Sequence, residues 1–213
     1  MSTALSLTDA QIERYSRQIV LPEVGGGGQE RLLAARVVLA GDGPAAEAAA
    51  TFLGRAGVGA LHLQACAGAL SELSPDCQVS RHAGLEEAPA AGVVVDLTPD
   101  TALSAVLARR AQAGRPCVLG ALSGAMIFVL TLVGRPCVAC LGSERLETRR
   151  AARGPLAAPA LLGLGALAAN EALRVLLLPP ARGRLVSLGL ESAIVSAVEV
   201  RSTAGCAFCG GRP

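Results

Sequence analysis

The chain has 213 residues, 52% of them hydrophobic and 2% aromatic, with a formal net charge of +2. That is enough apolar material for one large core, built from Leu, Val and Ala rather than rings. The near-neutral balance and the scarcity of aromatics argue against a nucleic-acid partner. All 19 basic residues are arginine, so no lysine is available for phosphate, Schiff-base or acyl chemistry.

Met1 to Gln11 is polar and lacks an apolar signal core. With seven cysteines, this points to a reducing, cytoplasmic location. A Thr8-Asp9 cap opens a short amphipathic helix over Thr8 to Arg17, which runs into Arg14-Tyr15-Ser16-Arg17-Gln18-Ile19-Val20-Leu21-Pro22. Gly25 to Gly28 reads as a flexible loop, and Gln29 to Ala35 as a helical turn or two. Arg36 to Ala40 has strand length and apolarity. It leads into Gly41-Asp42-Gly43-Pro44-Ala45-Ala46, where Pro44 suits the opening of an alanine-rich helix, Ala45 to Ala56. Gly57-Val58-Gly59 ends that helix, and Ala60 to Cys66 reads as a second strand. Strand, glycine turn, helix and strand make a βαβ unit.

Gly41, Gly43 and Ala46 form a Gly-x-Gly-x-x-Ala turn with two readings. In one, the glycines let backbone amides at a helix N-terminus approach a phosphate. In the other, they serve only close helix–sheet packing. Asp42 would oppose a phosphate. The end of the second strand, His62-Leu63-Gln64-Ala65-Cys66-Ala67, holds no acid for ribose hydroxyls.

Ser71 to Pro89 is polar and reads as irregular, with His82 in a loop. His62 falls on a strand, and the sequence offers neither histidine a partner. Cys77, in the polar stretch, is a candidate reactive thiol. Val93 to Leu97 is a third apolar strand. Asp96 and Asp100 near its end are the best acidic candidates for a ligand site; the plainer readings are a strand-end residue and a cap for a helix over Thr101 to Ala113. Pro116 to Gly134 is charge-free and long enough to span a bilayer. Gly120, Ser123 and Gly124 interrupt it, so it reads as two buried strands, Cys117 to Leu122 and Ala125 to Val133, and no membrane span is expected. Leu141 to Arg153 is arginine-rich and exposed, Ala160 to Leu178 is a helix stopped by Pro179-Pro180, and Arg184 to Leu190 with Ile194 to Arg201 form a hairpin.

Two pairs, Cys137-Val138-Ala139-Cys140 and Cys206-Ala207-Phe208-Cys209, have the spacing of a tetrahedral, four-thiolate zinc site. Such a site is closed and structural. The alternatives are free thiols or vicinal disulfides. The expected fold is α/β: a Rossmann-like sheet with helices on both faces and a C-terminal strand region stapled by zinc. One domain spans 1–213, with a nucleotide-binding-like half over 8–113 and a cysteine-bearing half over 114–213.

The arginine-tyrosine motif over 14–22, Gly28-Gln29-Glu30-Arg31-Leu32, Arg55-Ala56-Gly57-Val58-Gly59 and the two cysteine pairs together resemble the ubiquitin-activating-enzyme-like family of ThiF, MoeB and HesA adenylyltransferases. Asn170-Glu171-Ala172-Leu173-Arg174 resembles a helix of the same family. The resemblance covers residues 8 to 210. It implies an enzyme that uses ATP and magnesium to adenylate the C-terminal glycine of a ubiquitin-like sulfur carrier, usually as a homodimer. Arg17 corresponds to the arginine that reaches the partner's ATP, and Gly41, Gly43 and Ala46 to the phosphate turn.

Several family features are missing. The acidic strand end and its following Asn-Leu-x-Arg-Gln stretch are absent, and the phosphate-binding lysine cannot be present. Thr98-Pro99-Asp100 stands where the family has Thr-Asp-Asn for magnesium, leaving Asp100 one position late. No cysteine lies between Cys140 and Cys206 to form a thioester or persulfide. The expectation is therefore a degenerate, shortened member that keeps the scaffold, the zinc and a dimer surface. It would serve as a partner of an active homologue, or as a docking subunit for a ubiquitin-like carrier. The alternatives are an active adenylyltransferase with a rebuilt site using Arg17, Asp100 and Asp96, and an NAD-dependent oxidoreductase suggested by the glycine turn.

Overall fold

The structure is a computed structural model that describes residues 7–64, 70, 73–82, 92–98, 115–133, 154–178, 183–201 and 204–206. Among these are four helices and eight strands. Helix α1 (Asp9–Ile19) starts where the sequence places it. Thr8 is its N-cap in a reciprocal capping box: Gln11 N donates to Thr8 Oγ1 at 3.3 Å, and Thr8 N donates to Gln11 Oε1 at 3.1 Å.

The four glycines are not a loop. They form the first turn of α2 (Gly25–Ala34). The cost of glycine in a helix is met by packing, since a Cβ at Gly28 would stand 3.1 Å from Leu177 Cδ2. Then come β1 (Arg36–Ala40), α3 (Gly43–Arg55) and β2 (Ala60–Gln64), the βαβ unit expected. The polar stretch assigned as irregular contains a strand, β3 (Gln78–His82). It lies at the sheet edge with most of its residues exposed, so it carries no apolar signature. His82 is thus on a strand.

Strands β4 (Val93–Asp96), β5 (Cys117–Ser123) and β6 (Met126–Leu132) follow. The charge-free run is the β5–β6 hairpin, turning at Gly124. The last elements are helix α4 (Ala157–Leu177) and the hairpin of β7 (Arg184–Gly189) and β8 (Ile194–Glu199).

All eight strands form one sheet in the order β3-β2-β1-β4-β5-β6-β7-β8. The first five are parallel, and β6, β7 and β8 run as an antiparallel meander from β5. Val37, Leu39, Leu61, Leu63, Val93 and Val95 point to one face and pack with Ala46, Ala49, Ala50 and Leu53 of α3 and Leu164, Ala168 and Ala172 of α4. Val38, Ala40, Val94, Cys117, Leu119, Leu130 and Leu132 make a second cluster on the other face. Both α3 and α4 lie on the Val37 face; the helix expected over Thr101 to Ala113 falls outside the described residues. Helix α4 is long and apolar enough to cross a membrane by length and composition. Here its buried residues face α3 and the sheet, as in the core helix of a globular domain.

Among the described residues, two carboxyl side chains are fully buried, Asp96 at the end of β4 and Glu171 on α4. Glu171 on α4 accepts from Thr131 Oγ1 at 2.8 Å, from Arg174 Nη2 at 3.0 Å, and from Arg184 Nε at 3.0 Å and Nη2. The network ties α4 to β6 and β7. Burial alone would raise the Glu171 carboxyl, but the hydrogen bonds from Arg184, Arg174 and Thr131 outweigh it and hold the group below its ordinary value.

Candidate functional site

In open α/β sheets, ligands bind beyond the carboxyl ends of the strands where the strand order reverses. Here that point lies between β1 and β4. Ala40, Gln64 and Asp96 end β1, β2 and β4 side by side in register. The turn after β1 is tightly built: Gly41 N donates to Gln64 O at 3.1 Å and Leu97 N to Ala40 O at 2.8 Å.

The three residues of the glycine turn divide by role. Gly41 has φ +136°, and a Cβ there would stand 2.9 Å from the Leu97 carbonyl carbon, so it is needed for backbone packing. Gly43 has φ +74°, and no described residue lies within 4 Å of where a Cβ would be, so among the described residues its backbone is approachable. Ala46 is buried in the core and serves helix–sheet packing. The helix N-terminus is a poorer anion site than a fully glycine-lined one. Pro44 in its first turn supplies no N–H, and the Asp42 side chain makes no capping bond there.

Asp96 is fully buried, and its Oδ1 accepts from Thr98 N at 3.0 Å. It fixes the strand end above Gly41. Asp100 lies outside the described residues. The position for a ribose acid is filled by buried Gln64, and the sequence from there to Ser71 contains no Asp or Glu.

Arg17 is exposed on the last turn of α1. Arg14, which could have been a second phosphate ligand, is committed elsewhere: its Nη1 meets Asp76 Oδ2 at 2.6 Å. Asp76 also receives Gln11 Nε2 at 3.2 Å and the Tyr15 hydroxyl at 3.0 Å, while Tyr15 shares a 2.5 Å bond with Ser74 Oγ. Burial would raise the Asp76 carboxyl, but the bonds from Gln11 and Tyr15 and the Arg14 charge hold it below its usual value. This hub anchors α1, and with it Arg17, to the segment before β3. Residues about sixty positions apart meet here, and no local pattern announces that.

Cys77 packs against the core, and burial pushes its thiol up to about 11, which disfavours the reactive thiolate. Of the zinc frame, Cys206 is described and half-buried; Cys137, Cys140 and Cys209 lie outside the described residues. Among the described residues no cluster of three or more His, Cys, Asp or Glu could hold a metal. Strands β6 and β8 both pair antiparallel with β7, so they run parallel and finish at the same end of the sheet, two strands apart, at Leu132 and Glu199. The two segments that lead to the cysteine pairs therefore leave from the same end of the sheet.

No family model matches the chain. The sulfur carrier protein ThiS adenylyltransferase of Escherichia coli is 29% identical over 246 aligned positions, spanning 96% of this chain and 98% of the relative. The molybdopterin-synthase adenylyltransferase of the same organism is 27% identical over 248 positions, with the same coverage. A crystal structure of E. coli MccB with ATP superposes with a TM-score of 0.72 at 16% identity, covering 92% of this chain and 73% of that one. The chain is similar over nearly its whole length to the ThiF- and MoeB-type E1-like adenylyltransferases and shares the fold of MccB, at a shorter length. Since the alignments run longer than its 213 residues, the shortening is internal.

Proposed function

We propose that this protein is a binding member of the E1-like family. It would keep the scaffold that recognises a ubiquitin-like sulfur carrier or an active homologue, and would adenylate poorly or not at all. The observation that carries this is the end of β2, where Gln64 and the acid-free stretch after it replace the ribose carboxylate. The absence of any lysine and the presence of Pro44 in the α3 N-terminus act in the same direction. Each lost contact to a charged group removes about 1.5–3 kcal/mol. Losing two or three takes a micromolar nucleotide site to millimolar or weaker, at about 1.4 kcal/mol per tenfold.

In this reading Cys137, Cys140, Cys206 and Cys209 hold a structural Zn2+ as four thiolates, supported by the common exit of β6 and β8. The metal would tie the C-terminal segment to mid-chain. The subunit pairs with an identical chain or with an active homologue, and exposed Arg17 is available to a partner's site.

A second reading, an active adenylyltransferase, is favoured by the alignment over 98% of a ThiS adenylyltransferase and by the open approach to Gly43. It would use Arg17 and Asp100 with ATP and magnesium. ATP–pyrophosphate exchange with small carriers ending in Gly-Gly separates the two. The binding reading expects carrier capture without exchange; carrier-dependent exchange would establish the enzyme.

A further inference from the structure

The two histidines of the chain meet on the sheet face opposite α3 and α4, with a serine between them. His62 on β2 is in register with Ser80 on β3. His62 Nδ1 lies 2.6 Å from Ser80 Oγ, and Ser80 Oγ lies 2.9 Å from His82 Nε2. The rings are edge-on, with centroids 5.6 Å apart. His62 Nε2 is buried with no hydrogen-bond partner among the described residues.

We propose that His62, Ser80 and His82 form a one-directional hydrogen-bond relay that clamps edge strand β3 to β2 only while both imidazoles are neutral.

The direction follows from proton counting. The Ser80 hydroxyl has one proton, so it donates to one imidazole and accepts from the other. A proton on His62 Nε2 would be a buried donor without an acceptor among the described residues, the costlier kind of orphan. His62 therefore carries its proton on Nδ1 and donates to Ser80, and Ser80 donates to His82 Nε2. His82 keeps its own proton on Nδ1. Protonating His82 places a hydrogen on Nε2, facing a hydroxyl that already donates there. The relay must then reverse, which forces a proton onto buried His62 Nε2. Protonating His62 does the same directly.

The neighbours of His62 reinforce this. Burial chiefly, then His82 on β3 and Arg36 on β1, disfavour its charged form. The unfolded chain thus binds protons that the folded chain resists, and the clamp weakens as pH falls below the ordinary histidine range.

Beyond its backbone ladder to β2 and the Asp76 hub just before it, β3 has little apolar anchorage. It is an edge strand, and its one large apolar residue, Val79, is 41% exposed. Its last residue, His82, pairs with Gln64, whose carbonyl accepts from Gly41 N. Acid loosening of β3 would therefore reach the glycine turn, whatever that turn binds.

The test uses the full chain labelled with 15N at histidine. Long-range 1H–15N spectra at neutral pH should show both histidines protonated on Nδ1. In Ser80→Ala, His82 should revert to the Nε2-protonated form that free histidine favours. Amide exchange protection across Val79, Ser80 and Arg81, taken relative to β1, should fall about tenfold between about pH 7.5 and about pH 5.5 in the wild type. An Nε2-protonated His62 at neutral pH, or β3 protection that does not change with pH, would overturn the proposal. If Ser80→Ala does not fold, the wild-type spectra and exchange decide alone.

Discussion

Glu171→Ala is the sharpest test of what holds α4 to β6 and β7. The carboxylate is fully buried and neutralises Arg174 and Arg184 while accepting from buried Thr131. Removing one side of a buried pair costs about 3–5 kcal/mol, because the charges left behind have lost their partner. Here the arginine side chains are 23% and 35% exposed, so they can turn to water. That places the loss at the lower end, about 3 kcal/mol. For a chain of this size, about 2–4 °C per kcal/mol converts it to a fall in Tm of roughly 6–12 °C. Thermal unfolding followed by circular dichroism at neutral pH measures it. The pH dependence adds a second check. The folded-state carboxyl is held below its ordinary value, so the stabilisation is complete above the unfolded value and is lost as pH falls through the folded one. Wild type and variant should converge in acid. A fall in Tm of less than about 2 °C at neutral pH, or a gap that widens in acid, would refute the reasoning.

The turn after β1 makes a graded prediction. Gly41→Ala meets both a positive φ and the Leu97 backbone, and should cost about 2–3 kcal/mol in chemical denaturation. Gly43→Ala meets only the backbone penalty, about 1 kcal/mol, so equal costs would contradict the geometry. Asp76→Ala should abolish exchange protection in α1 while leaving β1 unchanged, since Asp76 gathers Gln11, Arg14 and Tyr15; retained protection would show that the hub is not the anchor. Cys77, with its thiol pushed up to about 11, should react with a disulfide reagent far more slowly in the folded chain than in denaturant, and comparable rates would reverse that reading.

The sequence exposes those parts of the fold whose signals are local. The Thr8 cap, the RVVLA strand, the proline-opened helix and the broken charge-free run each carry their own punctuation, and all stand where expected. Gly25 to Gly28 misled because packing against Leu177 overrides propensity. Strand β3 was hidden because an edge strand needs no apolar alternation. The Asp76 hub and the His62–Ser80–His82 line join residues that only the sheet order brings together. At the candidate site, the glycine turn was legible as a shape. Its division into one packing glycine and one open glycine depends on where Leu97 runs.

The central claim is that an E1-like scaffold persists here without its nucleotide pocket. Isothermal titration of ATP with magnesium into the full chain tests it directly. The account predicts binding no tighter than about millimolar, whereas a clear micromolar isotherm would contradict it.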